Sequence, residues 1–334
     1  MTNGNSDEPF AREDQQRDAV GHLIRAAGRR PAPRGEDYQR VYEASREAWH
    51  RKVRSSRRRR WWYAVAAALA AAAIGLVAVT QFSPPPTAAL AAVLQGRVEL
   101  LADEGWQPLA EVGAEIPAGA RLRTVADGRA AFELADGVSL RVNSATEWVF
   151  ASRDRIELIA GMVYVDSGTG RPENGIEIST AFGVIRDIGT QFEVMALMTR
   201  LRVRVREGLV SLQLADEPEP VETAAGEQLL VDMGGAVQRR AVRADAAEWA
   251  WAQALAEPLR IEGRSAFDVL GWVARETGKR LVFEDANAEL RARNAILSGS
   301  SRNLTPMEAL DVVVATSGGL DYVLSEGTII IRRR

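Results

Sequence analysis

The sequence predicts a multi-domain membrane protein whose largest part is an all-β antiparallel domain of sandwich or barrel type. Three features predict this class: a 22-residue apolar run, many short alternating segments between Gly turns, and two similar helix–strand units near the C-terminus. The predicted order is a short helical cytoplasmic segment (1–60), one transmembrane helix (61–82), a Pro-rich linker (83–90), the β domain (91–240), a connector helix (244–256) and a small α+β module (258–334).

Composition excludes several kinds of chemistry. The chain has no Cys, which excludes disulfides, thiolate metal sites and Cys nucleophiles. Both His, His22 and His50, precede residue 61, so the rest of the chain has no histidine metal centre or Ser-His-Asp triad. No cofactor is implied. Residues 1–60 hold 15 Lys and Arg against 9 Asp and Glu, whereas 61–334 hold 27 against 36, which suggests two compartments.

The apolar run 61–82 is long enough to cross a hydrocarbon core of about 30 Å. Aromatic residues 61–63 mark one end, and three Pro at 84–86 mark the other. Residues 46–60 carry eight Lys and Arg, whereas 83–102 carry one, so the N-terminus is predicted in the cytoplasm and the C-terminus in the periplasm. A cleaved signal peptide and a buried Ala-rich helix are the alternatives, and both fit these flanks less well.

Two hairpins are predicted in the β domain from alternating apolar residues and Gly turns. In the first, a Glu207-Gly208 turn pairs residues 201–205 with residues 210–214. In the second, a loop containing Asp136-Gly137 pairs Leu134 with Leu140 and Phe132 with Val142. Further strands are predicted at 96–101, 120–124, 155–166, 176–180 and 184–195.

The C-terminal module contains an internal duplication. Ser265 with Asp268, and Thr305 with Glu308, have the spacing of capping boxes at two helix starts. The two helices repeat at an offset of 40 residues, and a strand follows each. A strand is also predicted before the first helix, at 259–262.

Several motifs resemble a known family. They are ISTAFGVIRDIGTQFEV (178–194), GMVYVD (161–166), VREGLVSL (205–212) and AGEQL (225–229). Over roughly residues 90–235, the chain resembles the FecR-like family of transmembrane anti-sigma regulators. The module with SAFDVLGWVARETG and TPMEALDVVVATSG resembles the short N-terminal domain of secretins and TonB-dependent receptors.

The resemblance implies signalling from the cell surface, as in iron transport regulation. The signalling domain of an outer-membrane TonB-dependent receptor would contact the periplasmic part. The cytoplasmic part would then control an extracytoplasmic-function (ECF) sigma factor, without direct nucleic-acid binding. Relatives usually carry a longer N-terminal helical domain with spaced Trp residues, whereas about 60 residues are available here.

One amphipathic helix is predicted within those residues. Tyr38, Val41, Tyr42 and Trp49 fall near i, i+3, i+4 spacing and form an aromatic stripe that would dock on the sigma factor. The alternative is that the stripe packs on the other helical candidate, 22–27. The Arg-rich cluster before the span fits a topology signal and anionic lipid better than nucleic acid.

The Gly189-Thr190 bond lies in the GTQF motif, where some relatives cut their own chain. A Thr hydroxyl can attack the preceding carbonyl, which Gly leaves unhindered, and hydrolysis of the resulting ester breaks the chain. An ordinary bend between strands is the alternative.

No other enzymatic activity is predicted. The segment SGTG (167–170) lacks the Lys and the helix of a phosphate loop. A solvated polar face is expected to explain the carboxylates Asp136, Asp166, Asp187 and Glu193.

Two other functions remain open. The chain could be an envelope scaffold that tethers a transporter or secretion channel without transcriptional control. It could also be a receptor for a polysaccharide or other small ligand, which requires clustered aromatic residues. The β domain offers only scattered ones, such as Trp106, Trp148 and Tyr164.

Overall fold

The computed structural model describes residues 21–28, 34–47, 65, 67–68, 70, 85–134, 137–168, 175–215, 217–257, 259–299 and 304–334. The chain divides into two units, Met1–Ser83 and Pro84–Arg334. The first contains helices α1 (21–26) and α2 (35–47). The predicted span 61–82 lies outside the described residues except for four helical positions. None of the helices in the described part of the chain has the length and apolarity needed to cross a membrane.

Seventeen strands are described between residues 85 and 241. The first nine are β1 (Thr87–Gln95), β2 (Val98–Ala102), β3 (Gly105–Pro108), β4 (Glu115–Pro117), β5 (Arg121–Thr124), β6 (Arg129–Leu134), β7 (Ser139–Val142), β8 (Glu147–Phe150) and β9 (Arg155–Asp166). The others are β10 (Glu177–Thr180), β11 (Gly183–Asp187), β12 (Gln191–Leu197), β13 (Arg200–Glu207), β14 (Leu209–Leu214), β15 (Val221–Ala224), β16 (Glu227–Asp232) and β17 (Val237–Ala241).

These strands form two sheets that share β9, and together they curl into a half-barrel. The first sheet has the order β4-β1-β6-β7-β9-β12-β13-β16-β17. The second has the order β3-β2-β5-β8-β9-β10-β11-β14-β15. Among the described pairings of these sheets, all but β9–β10 are antiparallel. The prediction of a mostly antiparallel β domain is confirmed.

The core lies between the two sheets. Along β14, every second residue is buried, as expected for a strand with one face on a core. Phe132, Trp148 and Phe150 pack edge to face, with ring centroids 5.3 to 6.1 Å apart. These large aromatic side chains join β6 of the first sheet to β8 of the second.

β9 passes from the second sheet to the first at Gly161. Residues up to Ala160 pair with β8, whereas residues from Gly161 pair with β12. Gly161 has φ +106°, and a Cβ there would lie 2.5 Å from the Cα of Thr146. A bend of this kind is how a strand changes sheets, and this one requires Gly.

One predicted hairpin is confirmed and the other is wrong. β6 and β7 form a hairpin, with Phe132 opposite Leu140 rather than Val142. β13, however, pairs with β12 and β16, and β14 pairs with β11 and β15. Two strands that face each other across a core show the same alternation as two paired strands, so the pattern does not identify the partner.

The folded part begins earlier than expected. β1 starts at Thr87, inside the predicted linker 83–90, because Ala88 and Ala89 are small enough to be buried where β1 pairs with β4 and β6. The predicted connector helix is a 3₁₀ turn (Ala247–Trp249) followed by α3 (Ala250–Gln253).

Within residues 259–299 and 304–334, the C-terminal module combines three helices with a three-stranded sheet. Its elements are α4 (Ala266–Thr277), β18 (Arg280–Phe283), α5 (Ala286–Asn294), α6 (Pro306–Thr316), β19 (Leu320–Ser325) and β20 (Thr328–Arg333). The sheet order is β18-β20-β19. The Ser265 side chain caps α4, and Thr305 with Glu308 forms a reciprocal capping box on α6. The predicted strand at 259–262 is absent from the described elements, and α5 was not predicted because only Ala288 and Ala292 of its nine residues are buried, too few for an amphipathic pattern.

Candidate functional site

The Gly189-Thr190 bond lies where the chain crosses from the second sheet to the first. β11 ends at Asp187, and β12 begins at Gln191. The connection from β13 to β14 crosses back at Gly208, which has φ +84°. A Cβ on Gly208 would lie 2.5 Å from both the Gly189 carbonyl oxygen and the Thr190 Cγ2. Gly at position 208 therefore lets the two crossings pack directly on each other.

Hydrogen bonds fix Thr190 from two sides. Its hydroxyl donates to Asp187 Oδ1. Its backbone N–H donates to Ser167 Oγ over 2.7 Å, and the Ser167 hydroxyl donates to the Thr190 carbonyl over 3.0 Å. All three residues are buried. The hydroxyl and the peptide nitrogen of Thr190 thus each have one defined side-chain partner.

The Asp187 carboxyl is a strong candidate proton acceptor. Burial raises its pKa above the ordinary value, and the nearby Asp166 charge adds to this effect. The hydrogen bond from the Thr190 hydroxyl lowers the pKa but does not outweigh burial. A carboxylate with a raised pKa takes a proton from a bonded hydroxyl more readily.

A second carboxylate, Asp166 at the end of β9, connects this segment to α4. Asp166 Oδ2 accepts from Gln191 Nε2 over 2.7 Å, and Oδ1 accepts from the Gly168 N–H and from Arg275. Arg275 also donates to the Gly168 carbonyl over 3.0 Å and to Glu207 Oε2 over 2.8 Å. Arg275 therefore ties the end of β9 and the end of β13 to the C-terminal module.

The charge of Asp166 makes this link dependent on pH. Burial alone would raise the pKa of Asp166, but the hydrogen bond and charge of Arg275, with the other hydrogen bonds, hold the pKa below its usual value. A carboxyl whose pKa is lowered by folding stabilises the fold above the unfolded pKa. That contribution is lost as the pH falls through the lowered pKa.

A buried ion pair joins β7 to α4. The Arg141 guanidinium donates from Nη1 to Glu276 Oε2 and from Nη2 to Oε1, both over 2.7 Å. Arg141 and Glu276 are 2% and 4% exposed. Arg206 donates to the Glu276 carbonyl over 2.9 Å. Tyr164 lies beneath Arg141, with the guanidinium carbon 5.3 Å from its ring centroid, and burial raises its pKa to about 12. We call Arg141, Tyr164, Arg206 and Glu276 the Glu276 network.

The carboxylates expected on a solvated face are mostly buried instead. Asp166, Asp187 and Glu193 are 7%, 6% and 0% exposed, so the expectation is wrong for these three, and Asp136 lies outside the described residues. Glu193 accepts from Trp251 Nε1 over 2.9 Å. Trp251 of the connector contacts Glu193, and Arg275 of α4 contacts Asp166, which alternation along one strand cannot reveal.

The predicted aromatic stripe lies on α2. Tyr38, Val41 and Tyr42 are 67%, 67% and 58% exposed, and Leu23 on α1 is 71% exposed. In the described part of Met1–Ser83, the stripe is therefore open to solvent rather than packed on α1. Trp49 lies outside the described residues.

Other kinds of site are less well supported. No group of three or more His, Asp or Glu residues suited to a metal ion occurs among the described residues. A cleft of about 930 Å³ lies between α4 and the end of β13, with charged side chains and the aromatic residues Phe267 and Trp272 along it. Trp148 and Tyr164 are fully buried, so they do not form the aromatic pocket that a small-ligand receptor requires.

Comparison with known proteins identifies the central part of the chain. Residues 120–211 match the family model FecR protein, and this range includes the Gly189-Thr190 bond but not the C-terminal module. Two crystal structures of a proposed anti-sigma factor from Parabacteroides distasonis ATCC 8503, at 2.50 and 1.65 Å resolution, share 19% identity with the chain. The matched regions cover 64% of this chain and 98% or 99% of the other chain. The TM-score of each match is 0.34, which is too low to show a shared fold. No curated protein matches the chain.

Proposed function

We propose that the chain is a single-pass membrane regulator of a sigma factor and a member of the FecR-like family, because residues 120–211 match the FecR family model. The family match is the observation that carries this proposal. The protein acts by contacts with other proteins and does not catalyse a reaction on another molecule.

The charge distribution supports the proposed topology. The basic residues at 46–60 stay in the cytoplasm, the apolar segment 61–82 spans the inner membrane, and the acidic remainder lies in the periplasm. The FecR domain and the C-terminal module are thus placed where an outer-membrane receptor can reach them. We assign the signal to the signalling domain of a TonB-dependent receptor.

The α2 stripe supports the sigma-factor contact. Tyr38 and Tyr42 expose large amphipathic rings on one helical face, and aromatic side chains of this kind are enriched among residues that dominate binding energy. An ECF sigma factor is the proposed partner of this face, which Trp49 extends in the sequence pattern.

Self-cleavage at Gly189-Thr190 is a second proposed activity. The hydrogen bond from the Thr190 hydroxyl to the buried Asp187 carboxylate is the observation that favours it over an ordinary bend. Such a cut would leave residues 1–189 and 190–334 as two chains held together by the strands on both sides of the break.

The proposal predicts a transcriptional effect of the α2 stripe. In cells lacking the gene and complemented with the full chain, replacing Tyr38 and Tyr42 with Ala is expected to change the transcripts of one sigma regulon about tenfold, equivalent to about 1.4 kcal/mol of lost binding. The transcripts rise if the cytoplasmic part inhibits the sigma factor and fall if it activates it. RNA sequencing measures both.

The matched control replaces Leu23 and Ile24, which are exposed apolar residues on α1. This control should leave the same transcripts unchanged. If the Tyr38 and Tyr42 variant gives the wild-type transcriptome at equal protein level, the regulatory proposal is wrong and the envelope-scaffold function is favoured.

A further inference from the structure

We propose that Asp187 is the proton-transfer group in cleavage of the Gly189-Thr190 bond and that Ser167 holds the leaving nitrogen in place. This inference rests on the self-cleavage proposed above and assigns roles to two residues beside the bond that is cut. Asp187 would act on the attacking hydroxyl, and Ser167 on the leaving nitrogen.

The two groups contact the two atoms that must exchange a proton. Asp187 Oδ1 accepts the hydrogen bond of the Thr190 hydroxyl, which is the nucleophile. Ser167 Oγ lies 2.7 Å from the Thr190 backbone nitrogen, which is the leaving group. The Ser167 hydroxyl donates to the Thr190 carbonyl over 3.0 Å, so Ser167 holds the backbone of Thr190 on both sides of its Cα. The nucleophile and the leaving nitrogen of the same residue thus each contact one buried side chain.

The backbone presents the bond for attack. Gly189 has φ +77°, a conformation that L side chains rarely adopt, and it has no Cβ to shield its carbonyl carbon. On the other side, Gly208 packs against the Gly189 carbonyl oxygen with no room for a side chain. Both Gly residues are therefore needed for the peptide to sit against Asp187 and Ser167 in this geometry.

The proposed steps balance in atoms and protons. Thr190 Oγ1 attacks the Gly189 carbonyl carbon while its proton passes to Asp187, and the bond from that carbon to the Thr190 nitrogen breaks. Asp187 then gives that proton to the nitrogen, while Ser167 Oγ holds the N–H already on the same nitrogen. The product is an ester between Gly189 and Thr190 with a free amino group. One water then adds to the ester carbon, leaving a carboxylate on Gly189 and the hydroxyl on Thr190.

The attack of the Thr190 hydroxyl takes place away from bulk water, whereas hydrolysis of the ester needs access to water. Thr190, Asp187 and Ser167 are 1%, 6% and 4% exposed, so the proton transfer is shielded from bulk water. Gly189 is only partly buried, and Ile188 is 41% exposed. Water can therefore reach the ester carbon from the Gly189 side.

The test compares cleavage rates of the purified full chain in detergent. Mass spectrometry would follow the fragment that starts at Thr190. Asp187→Asn keeps an oxygen for the Thr190 hydroxyl but removes the proton acceptor, and it is expected to slow cleavage by at least about 100-fold. Ser167→Ala is expected to slow it by about 10- to 100-fold, whereas Thr190→Ser should retain cleavage.

Matched controls are Asp154→Asn and Ser179→Ala, which change the same residue types elsewhere in the domain. Both should cleave at the wild-type rate, and thermal unfolding checks that every variant is folded. If the folded Asp187→Asn and Ser167→Ala variants are cleaved at the wild-type rate, the assigned roles are wrong. An intact wild-type chain after long incubation would instead overturn the self-cleavage proposal itself.

Discussion

The variant Glu276→Gln is expected to lower the free energy of unfolding of the Pro84–Arg334 unit by about 3–5 kcal/mol, because it removes the carboxylate from a buried ion pair. The change leaves the Arg141 guanidinium buried without that negative charge, whereas Arg206 keeps its hydrogen bond to the Glu276 backbone carbonyl. An uncompensated buried cation costs far more than the loss of a surface ion pair. α4 also carries Arg275, so the variant is expected to loosen its contacts with Asp166 as well.

Urea unfolding followed by Trp fluorescence measures this effect, since Trp249 lies beside the Glu276 network, 5.5 Å from the Arg206 guanidinium carbon. Glu289→Gln is the matched control, because Glu289 pairs with Arg293 on the surface of α5, and a loss below about 0.5 kcal/mol is expected. Replacing Arg141 and Glu276 together with Leu should recover much of the stability. Equal urea unfolding midpoints for Glu276→Gln and Glu289→Gln would show that the Arg141–Glu276 ion pair does not hold the C-terminal module in place.

The variant Gly161→Ala is expected to destabilise the β domain by about 2–6 kcal/mol, from a strained backbone and an overpacked contact that each cost about 1–3 kcal/mol. The added Cβ would lie 2.4 Å from Thr146 Oγ1 and 2.5 Å from Thr146 Cα. Thr146 Oγ1 accepts the Met162 N–H over 3.0 Å, so moving Thr146 would also break the hydrogen bond that follows the bend.

Gly105→Ala separates the two causes. Gly105 has φ +110°, close to that of Gly161, but a Cβ there has no neighbour within 4 Å. This control should therefore show the backbone cost alone, about 1–3 kcal/mol. If Gly161→Ala costs no more than Gly105→Ala in thermal or urea unfolding, the tight crossing of β9 does not set the stability of the two sheets.

Local sequence patterns predict where the strands and helices of this fold lie better than they predict which strands pair with each other. The strand predicted at 155–166 is β9, and the caps at Ser265 and Thr305 start α4 and α6 as expected. Alternation states which side of a strand is buried, so the apolar residues of 201–205 and 210–214 were correctly placed in the core. It does not distinguish strands paired in one sheet from strands facing each other across two sheets.

The candidate site depends on contacts between residues that are far apart in the sequence, and local sequence patterns do not predict such contacts. Gly189 and Thr190 stand out by their motif, whereas the Ser167 hydroxyl reaches Thr190 across 23 positions. Arg141 meets Glu276 across 135 positions. Asp187 was set aside because an acidic residue on an alternating strand usually faces water. Its burial follows from the crossing between sheets at positions 188–190, which appears only in three dimensions.

The most direct test of the proposed regulatory function is to ask whether a sigma factor binds the α2 stripe of the intact protein. The full chain, carrying a C-terminal tag, would be solubilised from membranes and purified beside the Tyr38→Ala, Tyr42→Ala double variant, and co-purifying proteins would be identified by mass spectrometry. We expect an ECF sigma factor to accompany the wild-type chain and its recovery to fall about tenfold or more with the variant. Equal recovery with both chains would contradict the α2 contact, and recovery of no sigma factor with either would contradict the regulatory function.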